Sequence, residues 1–132
     1  MALEVIRETL PPEVTVLRIR GRITLGRDTR QLAGTVSELE REGITRLVFD
    51  LGDADYMDSA GLGILTRCTI AMRNNGGGFH LAGANAKVRQ LLKVTQLDEM
   101  IPCFASVMEA CQAFGQWHGL QAVSNLSSKT PR

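Results

Sequence analysis

Arg46-Leu47-Val48-Phe49-Asp50-Leu51-Gly52-Asp53-Ala54-Asp55-Tyr56-Met57-Asp58-Ser59-Ala60-Gly61-Leu62-Gly63 is the stretch that decides the fold. Its first six residues are a short, nearly continuous apolar run, the pattern of a strand buried in the middle of a sheet. From Gly52 the composition turns to that of a loop, with Asp53, Asp55 and Asp58 following Asp50. Asp58 or Ser59 then offers a side-chain oxygen to open a helix that runs to about Asn75. Leu62, Ile64, Leu65, Cys68, Ile70 and Met72 cover more than one stripe of that helix, so it is deeply packed or also meets a partner.

Working outward, the same alternation recurs. Upstream, Leu32, Val36 and Leu39 at i, i+4 and i+7 predict an amphipathic helix over Thr29 to Glu42, closed by Gly43. Before it, Leu3 to Thr9 and Val14 to Arg20 read as an antiparallel hairpin turning at Pro11-Pro12. In the second arm Val14, Val16 and Arg18 oppose Thr15, Leu17 and Ile19, and Gly21 begins a loop that includes Gly26. Downstream, Asn74-Asn75-Gly76-Gly77-Gly78 stops the helix, and Phe79 to Ala82 is a strand. Asn85 to Thr95 is a helix with Val88, Leu91, Leu92 and Thr95 on one face. Ile101 to Phe104 is a short edge strand beside Pro102. Ser106 caps a last helix that turns Val107, Met108, Cys111 and Phe114 inward. After the hairpin, strands and helices alternate strictly, which predicts an α/β domain with parallel neighbours and right-handed crossovers. The expectation is one domain over residues 1–118, with a four- to five-stranded mixed sheet and about four helices. Residues 119–132, rich in Ser, Asn, Lys, Thr and Pro, read as a disordered C-terminal tail.

Composition limits the function. The chain has 132 residues, 44% apolar and 22% charged, which is room for one ordinary domain. A net charge of +1 gives no electrostatic case for nucleic acid or an anionic membrane. No apolar run approaches the roughly 18 residues of a membrane span. Glu4, Arg7 and Glu8 make Met1 to Leu10 unlike a signal peptide. Three cysteines, at 68, 103 and 111, have no paired spacing and point to a reducing cytoplasm and buried thiols.

Function in such sheets collects in loops at the carboxyl ends of the strands, which directs attention to the loop ending at Ser59. A hydroxyl at a helix N-terminus is exposed and lies near backbone N–H groups, so a phosphate there meets the positive end of the helix dipole. It would add about −1.5 to −2 charges to a surface already acidic. Gly61 and Gly63 would let another protein approach the first turn closely. These residues are compatible with a phospho-switch on a binding surface, and equally with Ser59 as a plain cap beside a solvated loop.

Asp58-Ser59-Ala60-Gly61-Leu62-Gly63, placed after Val48-Phe49-Asp50-Leu51, resembles the signature of the STAS domain, and more narrowly that of bacterial anti-sigma factor antagonists. The similarity runs from about Leu3 to Phe114, through Asn74-Asn75-Gly76-Gly77-Gly78-Phe79, Val88-Arg89-Gln90-Leu91-Leu92 and Thr95-Gln96-Leu97-Asp98. It implies a non-enzymatic binding module without a cofactor. In that family the unphosphorylated antagonist binds an anti-sigma factor that is also a serine kinase, which frees the sigma factor. The kinase then phosphorylates the antagonist with ATP, and a metal-dependent serine phosphatase resets it. Carried over, Ser59 is the phosphoacceptor and Asp58 the motif aspartate. Ala60, Gly61, Leu62 and Gly63 form the turn that faces the partner, with Thr24, Tyr56 and Met57 beside it. Tyr56 and Met57 read equally as partner anchors or, for one of them, as a plug in the core.

Two positions depart from the pattern. Ala60 stands where many antagonists have a second serine, which also resembles STAS subunits of ABC-type lipid transport complexes. Gly21-Arg22-Ile23-Thr24 stands where the family often has Gly-Glu-Leu-Asp, so a basic and a neutral residue replace two acidic ones. The transport subunit, and a scaffold STAS protein in a signalling assembly, are the alternative readings.

Other chemistries find little support. A hydrolase elbow needs glycine two residues before Ser59, where Met57 stands, and His80 reads as a structural residue of its strand. The Gly61 and Gly76–Gly78 patterns lack the Lys-Ser/Thr of a phosphate-binding loop. The four aspartates lack a second set of oxygen ligands, so they read as a solvated acidic rim rather than a cation site.

Overall fold

The structure, a computed structural model, describes residues 3–114. Trp117, His118 and the expected tail over 119–132 lie outside the described residues. The elements run β1 (Glu4–Leu10), β2 (Val14–Ile23), α1 (Arg27–Arg41), β3 (Arg46–Met57), α2 (Ser59–Asn74), β4 (Gly78–Ala82), α3 (Ala86–Val94), a 3-10 turn (Leu97–Glu99) and β5 (Cys103–Phe104). A last helix, α4, occupies residues 107–114, and Ser106 Oγ accepts the Glu109 N–H at 3.2 Å as its cap. The strands form one five-stranded mixed sheet in the order β1-β2-β3-β4-β5. β1 pairs antiparallel with β2, and every later neighbour is parallel.

Alternation along the strands divides the side chains between two faces. Leu17, Ile19, Leu47, Phe49, Phe79 and Leu81 share one core cluster with Leu32, Val36 and Leu39 of α1, Leu65, Cys68 and Met72 of α2, and Val88 and Leu92 of α3. Within it Phe49 and Phe79 meet edge to face, with centroids 4.9 Å apart at 89°, a favoured aromatic geometry. The opposite face carries a smaller cluster of Val14, Val16, Val48 and Ala82, covered by Ala110, Cys111 and Phe114 of α4. His80 also belongs here. Its ring stacks on Phe114 at 3.8 Å and its Nδ1 lies 2.9 Å from the Ala110 carbonyl. Burial holds the imidazole below its usual pKa. It is the structural residue that the sequence indicates.

Three expectations need correction. Gly21 and Gly52 do not begin loops: β2 continues to Ile23 and β3 to Met57, with Ile23 opposite Met57. An advance of two residues along β2, from Arg18 to Arg20, is matched by an advance of three along β3, from Asp50 to Asp53, and another shift lies between Gly21 and Arg22. β3 therefore carries an extra residue at each shift, the signature of bulges, and Gly21 adopts φ 113°, where glycine alone is unstrained. The bulges change the burial period, so that Leu51, Ala54 and Met57 point inward at every third residue. The acidic rim is largely engaged as well. Asp50 Oδ2 accepts from Arg18 Nε at 3.0 Å, and Arg18 Nη2 donates to Glu8 at 2.8 Å. Arg20 lies 3.6 Å from both Glu4 and Asp53. Finally, two side chains expected inside are not: Cys68 and Cys111 are buried but Cys103 is exposed, because on the short edge strand β5 it is Phe104 that packs against the second cluster, and Met108 of α4 is exposed because Val107, Ala110, Cys111 and Phe114 form the inward stripe.

Candidate functional site

The extended β3 delivers its last residues directly into α2, with no loop between them. Asp58 is the junction. Its N–H donates to the Ile23 carbonyl at 3.2 Å, which fixes the end of β3 to β2. Its Oδ1 accepts the N–H groups of Ala60 at 2.9 Å and Gly61 at 3.2 Å, so Asp58 is the N-cap. Its Oδ2 accepts the Leu25 N–H at 3.0 Å, from the segment joining β2 to α1. These donors, Leu25 first, hold the carboxyl below its ordinary pKa against a smaller opposing effect of burial.

Of the two candidate caps the structure selects Asp58, and Ser59 becomes the exposed first residue of α2. Among the described residues the Ser59 hydroxyl makes no hydrogen bond. Thr24 and Ala60 are half-buried beside it, as is Leu62, which packs against the core. Gly63 is exposed, with open space where a Cβ would stand. Tyr56 is 42% exposed and Met57 1%, so Met57 is the plug and Tyr56 the surface residue.

Gly61 is also buried. A Cβ there would stand 2.4 Å from Met57 Cγ and 2.7 Å from the Ile23 carbonyl oxygen. Its missing side chain lets α2 settle onto the ends of β2 and β3, rather than admitting another protein. Thr24, Tyr56, Asp58, Ser59, Ala60, Leu62 and Gly63 thus each keep some surface at the junction of β3 and α2, whereas Met57 and Gly61 are buried.

Residues that the motif does not mark complete this surface. Leu25, 81% exposed, projects from the segment that Asp58 holds. Arg22 lies over the Tyr56 ring, its guanidinium carbon 4.9 Å from the centroid, a cation–π contact. Asn85 caps α3 through Val88 N–H at 2.9 Å while its amide nitrogen reaches the Ala54 and Asp55 carbonyls at 3.3 Å, bracing β3 from the other side. The one hint of Leu25 in the sequence is a lone large apolar residue next to Gly26. Among the described residues no group of three or more His, Cys, Asp or Glu side chains could hold a metal ion.

Residues 6–110 match the family model described as the STAS domain. The chain belongs to the STAS domain family. This STAS domain is 28% identical over 75 residues to a Thermotoga maritima protein described as a candidate anti-sigma factor antagonist, a match over 57% of this chain and 66% of that one. It therefore spans just under two thirds of the length of that relative. A crystal structure of a candidate anti-sigma factor antagonist from the same organism superposes with a TM-score of 0.77 at 22% identity, covering 83% of this chain and 93% of that one. The phosphorylated form of the Bacillus cell fate determinant SpoIIAA gives 0.67 at 19%, with 83% and 98% covered. A sulfate transporter family protein from Wolinella succinogenes gives 0.69 at 14%, with 85% and 93% covered, so the fold is shared with transport proteins. No helix among the described residues is long and apolar enough to cross a membrane.

Proposed function

We propose that this STAS domain is an anti-sigma factor antagonist that is not an enzyme. It binds an anti-sigma factor serine kinase through the surface around the start of α2, acts on sigma-factor-dependent transcription in the cytoplasm, and is switched off by phosphorylation of Ser59. The observation that carries this reading is the division of labour at the junction. Asp58 caps the helix and ties down the Leu25 segment, so the neighbouring hydroxyl is exposed and free of structural duty. Transfer of the ATP γ-phosphoryl group to Ser59 Oγ releases ADP and the hydroxyl proton, and a serine phosphatase restores the hydroxyl with water. The fold tolerates the added dianion because it lies in solvent at the positive end of α2. A docked partner must desolvate it and meet about −1.5 to −2 extra charges, which breaks the interface.

Capture from the lysate of the source organism tests this, with wild type, Ser59→Ala and Ser59→Asp as baits. Wild type and Ser59→Ala are expected to retain an ATP-binding serine kinase and Ser59→Asp to lose it, with unfolding free energies changed by less than about 0.5 kcal/mol. Retention of a transport ATPase by all three baits refutes the antagonist reading in favour of the ABC-type transport subunit.

A further inference from the structure

Across the Leu25–Asp58 hydrogen bond from the start of α2 lies a surface hollow of about 350 Å³ lined by Arg22, Thr24, Leu25, Gly26, Arg27 and Asp28. Its charges are not equally available. The Asp28 carboxylate accepts the Leu3 N–H at 3.1 Å and sits in the first turn of α1, where the helix dipole answers it. Asp58, at the edge of the hollow, is occupied by three backbone N–H groups. Arg22 and Arg27 are both exposed and have no carboxylate within ion-pair distance among the described residues. Beyond Tyr56, Lys87 lines the next hollow along the same surface and is likewise unpaired among the described residues. The carboxylate remaining on this rim is that of Asp55, at an exposed position of β3. Arg22 does not sweep freely through solvent, because its guanidinium rests on the Tyr56 ring. Leu25, between the two arginines in sequence and lining the same hollow, is 81% exposed, on a segment anchored to Asp58. Unpaired cations around an exposed apolar residue suit a protein-binding anchor with an electrostatic rim.

We infer that this hollow receives an acidic segment of the anti-sigma partner, with a partner carboxylate between Arg22 and Arg27 and an apolar pocket closing over Leu25. The inference rests on the antagonist reading and specifies the chemistry of its partner. It also gives the switch a second action. The two guanidiniums supply two positive charges, and a phosphoserine supplies about −1.5 to −2. Phosphorylation of Ser59 therefore cancels the attraction for an acidic partner as well as obstructing the contact.

The test uses the purified anti-sigma factor kinases encoded by the source genome, each titrated against the full chain at low and high salt. Wild type is expected to bind one of them with an affinity that falls steeply as salt rises. Arg22→Glu/Arg27→Glu should weaken that complex at least about tenfold and flatten its salt dependence, while Arg22→Lys/Arg27→Lys retains most of both. Leu25→Ser should weaken binding without changing the salt dependence. Salt-independent wild-type binding, which needs no variant to fold, overturns the inference, as does equal binding by the charge-reversed protein. Failure of every kinase to bind wild type overturns the antagonist reading itself, and the acidic partner with it.

Discussion

Gly61→Ala and Gly63→Ala should move stability in opposite directions, although both replace a glycine with the best helix former within the first turns of α2. At Gly63 the new methyl enters open space. The substitution should then gain the helical preference of alanine over glycine, about 0.5–1 kcal/mol. At Gly61 the same preference is opposed by contacts at 2.4 Å to Met57 Cγ, 2.7 Å to the Ile23 carbonyl oxygen and 3.0 Å to Ile23 Cγ2. The methionine can turn aside, but the carbonyl belongs to the end of β2 and accepts the Asp58 N–H, so relief requires α2 to lift from the sheet. Overpacking of this kind costs about 1–3 kcal/mol, and with a backbone atom in the way the upper half of that range applies. The net loss is about 1–2 kcal/mol, and the two variants should differ by roughly 2–3 kcal/mol. For a domain of this size that is a separation of roughly 10 °C in melting temperature. Thermal unfolding followed by circular dichroism, with urea midpoints as a second measure, reads it directly. If both variants are stabilised, Gly61 is not a packing residue and the account of how α2 seats on the sheet fails. If both are destabilised, Gly63 has neighbours that the structure does not show.

Asp58→Ala should cost about 1 kcal/mol through loss of the cap. Asp58→Asn should cost less, because an amide keeps one acceptor for Ala60 and Gly61 but faces the Leu25 N–H with a donor; hydrogen exchange at the Leu25 amide should be fast in both variants and slow in wild type. Exchange protection of Leu25 should also be lost as pH falls into the acidic range that protonates Asp58, whose folded pKa is depressed. His80 sets a different window. Its folded pKa lies below the unfolded value of about 6.5, so the unfolded chain takes up the proton first and stability declines as pH falls below that value. His80→Gln should flatten the dependence of melting temperature on pH between neutrality and the mildly acidic range. An unchanged slope would show that burial of the ring against Phe104 and Phe114 is not its cause.

The core was legible because its elements obey simple periods. Leu32, Val36 and Leu39 recur at helical spacing, Val14 to Ile19 alternate, and all point where their spacing says. The junction was half legible. Asp-Ser-Ala-Gly announces a helix start, but choosing between two adjacent caps requires knowing that one carboxylate reaches both the helix amides and Leu25, a contact 33 residues away in sequence. The stretch from Gly52 to Met57 read as a loop because bulges impose a period of three where a strand is expected to show two. The same error made Asp50 look as solvated as Asp53 and Asp55, which are exposed. Arg18, which answers Asp50, lies in a neighbouring strand and is brought opposite it by register alone. Leu25 carried no pattern at all, since a single exposed side chain has no period.

The strand order β1-β2-β3-β4-β5 has a consequence for how the chain finds its structure. Each strand docks beside the one made just before it, so the growing sheet always offers the next unit a finished edge. Closing each pair spans a single hairpin or one crossover, which keeps the entropic cost of loop closure low. Assembly can therefore advance from the N-terminus as the polypeptide leaves the ribosome. The β3–α2 junction holding Ser59 falls in the middle of that sequence. By the time α4 arrives to cover the second face, the site around the serine has its strands and helices in place.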